Sequence, residues 1–257
     1  MEVHRRKKDS ELKFRPGFIL LFIVASFAGC FALYMKSEEE DTITKDLVEK
    51  LMPSQTEAVE EEPEEAPPVT NPVGRSERAD DDYFSSCAFI GDSSVMGFFS
   101  HGIVEYEKIF LIEDLNDLSV LAGVHDKDDI KNIYLFFSPD TAATEEGRTE
   151  FGDAMVHIAE ELRNGGFKGD IYIVSVLPES TEAEKIRVSS NTDIDKLNSL
   201  LLSLATEHRI YFIDENTYFK GADGRLKSSY VDTDGISMTE NAYNASAEMI
   251  RTHTAKK

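Results

Sequence analysis

From residue 83 onward, short apolar runs alternate with longer stretches in which apolar residues recur every three or four positions. The runs are "CAFIG" (87–91), "KIFLI" (108–112), "NIYLFF" (132–137), "DIYIVSVL" (170–177) and "RIYFID" (209–214). Each is nearly continuous in Ile, Val, Phe, Tyr and Leu, the pattern of strands covered on both faces. Between them, "EFGDAMVHIAEELRNGG" carries Phe151, Met155, Ile158 and Leu162 on one stripe and is stopped by Gly165 and Gly166. "NTDIDKLNSLLLSLATEH" repeats the stripe at Ile194, Leu197, Leu201 and Leu204, with Thr192 and Asp195 spaced as a capping-box variant. "MTENAYNASAEMIRTH" closes the chain with Thr239 as N-cap. Five strands joined by crossover helices predict an α/β three-layer sandwich on a mainly parallel sheet. Binding and catalytic groups of such sheets gather at the carboxyl ends of the strands.

The N-terminal third has a different texture. Residues 18–35, "FILLFIVASFAGCFALYM", contain no charge, and about 20 helical residues cross a hydrocarbon layer of ~30 Å. Six basic residues against three acidic precede the run, and "KSEEED" follows it. That asymmetry predicts an uncleaved transmembrane anchor with residues 1–17 in the cytoplasm and 36–257 outside. Two alternatives stand beside it: a lipoprotein signal with Cys30 lipidated, which the continuation "FALYM" opposes, and a cleaved signal peptide, for which no small-x-small site is well placed.

Residues 36–82 read as an acidic spacer rich in Pro and Glu. Sixteen acidic residues face four basic ones between positions 37 and 82, so the segment lacks the apolar surface to offset its chain entropy and is expected to stay disordered. Within it, Ile43, Leu47 and Leu51 fall at helical spacing and suggest a short juxtamembrane helix. Residues 83–257 are then the globular domain. The net charge of −22 argues against a nucleic-acid partner or an anionic membrane surface. Two cysteines, Cys30 and Cys87, imply no disulfide, and no His, Asp and Glu cluster has ligand spacing, so neither metal nor cofactor is expected. Nothing in the pattern fixes an oligomeric state.

The loops after the strands carry the candidate chemistry. "FIGDSS" places Ser93 between the first strand and a helix, where backbone N–H groups favour a developing oxyanion. "VDTDGISMTENAY" leads into the last helix. In this order and spacing, "FIGDSS", "IYIVSVLPES", "KLNSLLLSLATEHRIYFID" and "DGRLKSSYVDTDGISMTENAY" resemble the SGNH, or GDSL-type, esterase and acetylhydrolase family over about residues 85–250. The resemblance implies a flavodoxin-like SGNH hydrolase fold, with Ser93 as nucleophile and Asp234 as the acid of the last block.

Against that pattern the chain departs at three places. The family's histidine, three residues after the aspartate, is matched by Ser237. Its Gly-x-Asn-Asp loop is matched by "FSPD", with Phe137 for Gly, Pro139 for Asn and Asp140 kept. After the second strand, "IEDLND" offers no glycine N–H. A serine hydroxyl needs a base during attack, and an oxyanion donor is worth roughly 3–4 kcal/mol; both losses fall on one step. His4 is expected in the cytoplasm, His101, His157 and His208 on helices, His125 before the third strand and His253 at the far end of the last helix, so no substitute base is evident. Two function classes follow: a catalytically impaired member whose cleft binds a cell-envelope glycan, an acyl group or a partner protein, or a divergent serine esterase or O-acyltransferase acting on O-acetylated polysaccharide or peptidoglycan. The double loss favours the first.

Overall fold

The computed structural model describes residues 69–138 and 140–255. Five strands, β1 (Cys87–Gly91), β2 (Ile109–Leu111), β3 (Asn132–Phe136), β4 (Asp170–Val174) and β5 (Tyr211–Ile213), form one parallel sheet in the order β2-β1-β3-β4-β5. They fall within the five apolar runs of the sequence. The helical segments are α1 (Met96–Ser100), α2 (Ala122–His125), α3 (Glu145–Asn164), α4 (Ala183–Ile186), α5 (Asn191–Glu207), α6 (Glu215–Phe219) and α7 (Glu240–Thr252). Among the described residues no helix is long and apolar enough to cross a membrane; the predicted anchor at 18–35 lies outside them.

Alternating side chains send the strands' apolar groups to two cores. On one face Ile90, Ile133, Leu135, Ile171, Ile173 and Phe212 pack against the α3 stripe Phe151, Met155, Ile158 and Leu162 and the α5 stripe Ile194, Leu197 and Leu201. On the other, Phe89, Tyr134, Tyr172 and Ile213 pack under α1 and α7 through Phe98, Tyr243, Ala247 and Ile250. Register places Phe89 beside Tyr134, Tyr134 beside Tyr172 and Tyr172 beside Tyr211. The resulting aromatic row has centroid spacings of 5.3, 4.8 and 5.1 Å, the offset geometry aromatic pairs prefer. Burial raises the pKa of the Tyr134 and Tyr172 hydroxyls, so the row is neutral.

Local signals set the helix starts, and two differ from the expectation. Helix α3 begins six residues before Phe151, because Thr144 accepts from the Gly147 N–H and caps it there. The capping box of α5 is Ser190 with Asp193, two positions upstream of the expected Thr192 and Asp195; both hydroxyl residues meet the spacing, but the chain turns at Ser190. Thr239 caps α7 as expected.

The boundary drawn at residue 82 also shifts. Asn71 lies along the exposed edge of β5: its amide donates to the Ile210 carbonyl at 2.8 Å, and its oxygen accepts the Phe212 N–H at 2.8 Å. Val73 follows, buried, with its N–H on the Phe212 carbonyl. Further on, the Ser76 and Ala79 N–H groups bond the carbonyls of Thr252 and Arg251 at the end of α7. Composition assigned 69–82 to the spacer, yet a parallel edge strand leaves unpaired polar groups that a passing segment can satisfy. The domain therefore includes this strap.

A buried carboxyl completes the second core. Glu215, at the start of α6, is fully buried, and both its oxygens lie 2.8 and 2.9 Å from the Ser246 hydroxyl on α7. Burial pushes its pKa up to about 8, aided by the neighbouring charge of Asp214 and opposed by the Ser246 bond.

Two outcomes follow from the strap and the buried acid. A chain beginning at residue 83 is expected to be less stable than one beginning at 69 by roughly 2–4 kcal/mol, from lost hydrogen bonds and the exposure of Val73. Urea midpoints of the two chains measure it; equal midpoints would mean that the strap contributes nothing. Because the folded state keeps Glu215 protonated well above its unfolded pKa, folded chains hold more protons between about pH 4.5 and 8. Stability should thus decline as pH rises through that window, and Glu215→Gln should flatten the decline. An unchanged pH slope in the variant would assign the effect to other groups.

Candidate functional site

A cleft of about 490 Å³ opens at the carboxyl edge of the sheet. Its walls come from the turn after β1 (Asp92, Ser93, Ser94), the end of β3 (Phe136, Phe137, Ser138), the segment after β4 (Leu177, Pro178, Glu179), Arg187, and the loop before α7 (Ile236, Ser237, Met238) with Tyr243 behind it. Parallel strands all end on this side, which is why loops so distant in sequence meet here.

The β1 turn is built around two close approaches. Gly91 runs so near β3 that a Cβ there would lie 1.8 Å from the Phe136 carbonyl oxygen. Directly after it, the Asp92 carboxylate accepts from the Ser94 N–H at 2.9 Å and the Ser138 N–H at 2.6 Å. That carboxylate caps the turn Ser93–Val95 leading into α1 and ties it to the β3 loop. Ser93 is exposed on the cleft wall, and no side chain among the described residues bonds its hydroxyl. The Ser94 hydroxyl is buried without a partner. Its carbonyl accepts from the Tyr243 hydroxyl at 2.9 Å, and the Tyr243 ring covers Gly97, where a Cβ would come within 1.9 Å of Cζ.

Across the cleft, Asp234 is exposed and engaged within its own turn. Oδ1 accepts from the Ile236 and Ser237 N–H groups, each at 2.8 Å, and Oδ2 accepts from the Ser237 hydroxyl at 2.5 Å. The Ser237 hydroxyl, then the two N–H groups, hold this carboxylate below the usual range. The turn itself is fixed by Ser180, whose hydroxyl donates to the Gly235 carbonyl. Ser237 faces the cleft; Asp234 stands behind it rather than in the wall. Pro139, the expected missing oxyanion donor, lies outside the described residues.

Among the described residues no histidine lines this cleft. His101 packs against the Tyr243 ring at 5.3 Å, His157 faces a separate groove on α3, His208 sits 3.6 Å from Glu160, Nδ1 of His253 lies 2.8 Å from the Met249 carbonyl, and His125 lies against Gly165. His4 is outside the described residues. Among those described there is also no cluster of His, Cys, Asp and Glu suited to a metal ion.

One pair in the wall escaped the sequence reading. Arg187 places Nε 3.3 Å from the Glu179 carboxylate and Nη1 3.5 Å from the Ser138 hydroxyl. The partners stand eight positions apart in the chain, and no periodicity marks them. Glu179 follows β4, whose carboxyl end was a foreseeable source of site residues; Arg187 reaches the cleft only because α4 folds back.

No family model matches the chain, and no curated protein matches its sequence. Solved structures do match its fold. A protein from Streptococcus pneumonia, given the working description of a platelet activating factor, shares 17% identity over 65% of this chain and 82% of its own, with a TM-score of 0.52. A Bacteroides fragilis protein with the working description of an acylhydrolase shares 16% over 68% and 88%, at 0.48. A GDSL-like lipase from Bacteroides thetaiotaomicron shares 14% over 64% and 85%, at 0.46. At these identities the likeness concerns the fold, and that fold is of the SGNH/GDSL type expected from the sequence.

The Tyr243 contact yields a test. Gly97→Ala should cost roughly 1–3 kcal/mol through overpacking, and Tyr243→Ser, by removing the ring that a methyl at 97 would meet, should relieve most of that added cost in the double variant. Strict additivity in a double-mutant cycle would rule out the contact.

Proposed function

We propose that this chain is a membrane-anchored extracellular module in which an SGNH-type domain binds a glycan or acyl ligand of the cell envelope without hydrolysing it. The observation that carries the reading is the absence of a proton acceptor beside Ser93 among the described residues. The Asp92 carboxylate is turned to two backbone N–H groups, the Asp234 carboxylate is bound by its own turn and Ser237, and no imidazole enters the wall. Without a base the serine hydroxyl is a poor nucleophile at neutral pH. Binding is another matter. The cleft combines apolar walls from Phe137, Leu177 and Met238 with a small number of convergent polar groups, the composition of a ligand pocket. The charge asymmetry around residues 18–35 supports the anchor and the outward orientation, and the acidic, proline-bearing composition of the segment that follows suits a spacer.

The reading is tested on an activated ester. Purified protein should hydrolyse 4-nitrophenyl acetate no faster than its Ser93→Ala variant does. Ser237→His restores the Asp-x-x-His spacing and is expected to give less than about tenfold over that background, because Pro139 supplies neither a side-chain donor nor an N–H to the oxyanion. Adding Pro139→Asn should raise the rate by more than the two separate effects combined, since base and oxyanion donor act on one transition state. A wild-type activity that disappears in Ser93→Ala would instead make the chain a divergent esterase or O-acyltransferase.

A further inference from the structure

A second concave surface lies beside the amino ends of β1 and β2, formed by the residues that lead into these strands and by the end of α1. It encloses about 390 Å³. Its floor is apolar, with Phe84 and Val104 buried. Two large rings stand at the surface here: Phe99 is 43% exposed and Tyr106 61% exposed, and they meet edge to face at 5.4 Å. Their contact removes some apolar area from water, yet both rings stay largely open to solvent, and protein interfaces are enriched in aromatic residues of this kind.

Carboxylates outnumber cations in the groove's lining, with Asp81, Asp82 and Glu105 against Lys108. Asp82 and Glu105 line it, both exposed, and neither makes an ion pair or side-chain hydrogen bond among the described residues. Asp81 is paired with Arg78 at 3.0 Å. Lys108, buried in the groove wall, is neutralised by Asp129. An incoming group therefore meets two free carboxylates and aromatic rings, which together favour a cation carried on an apolar stem. The protein already places one cation on a ring here, with the Arg251 guanidinium 4.7 Å over the face of Phe84.

The geometry points to a docking surface for a partner protein that inserts a lysine or arginine side chain flanked by apolar residues, its stem against Phe99 and Tyr106 and its charge between Asp82 and Glu105. A protein source fits better than a free solute because both rings are presented outward, beyond the groove floor, where only a flanking surface could cover them.

This chain contains no Trp, so the anisotropy of a Trp-bearing peptide reports binding to the full chain without background. The probes are N-acetylated, C-amidated Trp-Gly-Leu-Lys-Leu and its counterpart with norleucine in place of lysine. Saturable binding of the lysine peptide is expected, with the norleucine peptide weaker by about tenfold. Asp82→Asn combined with Glu105→Gln should weaken the lysine peptide about tenfold and leave the norleucine peptide and the urea midpoint unchanged, while Tyr106→Ser weakens both peptides. Equal affinities for the two peptides, no saturable binding, or indifference to the double charge variant would overturn the proposal. So would choline chloride displacing the lysine peptide at a lower concentration than the free lysine peptide itself, which would mark the occupant as a small ammonium solute.

Discussion

The carboxylate of Asp92 holds together the part of this protein on which everything at the carboxyl edge depends. Strands β1 and β3 are neighbours in the sheet, and Gly91 lets them stay close to their last residue because no Cβ stands between it and Phe136. Past that point the ladder ends, and the N–H groups of Ser94 and Ser138 are left without strand partners. Asp92 takes both. Charge-assisted bonds of this kind are stronger than neutral ones, and here they join two loops that the sequence separates by more than forty residues. The same commitment fixes the orientation of the Asp92 side chain within the turn.

The rest of the fold supports that edge from two sides. Helices α3 and α5 cover one face with aliphatic side chains, and α1, α7 and the strap at 69–82 cover the aromatic face. Several of the polar groups that enter these cores do so in pairs. Glu215 faces Ser246 across α6 and α7, Asn216 donates to the Val176 carbonyl, and Lys108 meets Asp129. Removing one member of such a pair leaves the other buried and unsatisfied, which costs more than the pair contributes. The pairs thus favour a single packing arrangement of the helices around the cleft.

The cleft and the second groove differ chemically. The cleft is lined by Ser93, Ser138 and Ser237 around a compensated Arg187–Glu179 pair, a lining suited to uncharged polar groups beside an apolar one. The groove near Phe99 and Tyr106 has carboxylates without counterions and suits a cation.

The strands, their parallel arrangement and the striped helices were legible in the sequence because each rests on local periodicity: buried parallel strands are continuously apolar, and α3 and α5 repeat their stripe every three or four residues. The position of Ser93 in the turn after the first strand was legible too, since Gly-Asp-Ser falls between a strand and a helix start, and the serine at 237 needs only to be read. What the chain could not show by itself depends on atoms brought together from distant positions. Composition placed 69–82 in the spacer, and only the open edge of β5 gives Asn71 and Val73 something to pair with. Spacing allowed a capping box at Thr192 or Ser190, and the path of the chain into α5 chose Ser190. The Arg187–Glu179 pair, the clasp of Tyr243 on Ser94 and the burial of Glu215 carry no sequence signature, because hydrogen bonding and desolvation act through space and are set by tertiary packing alone.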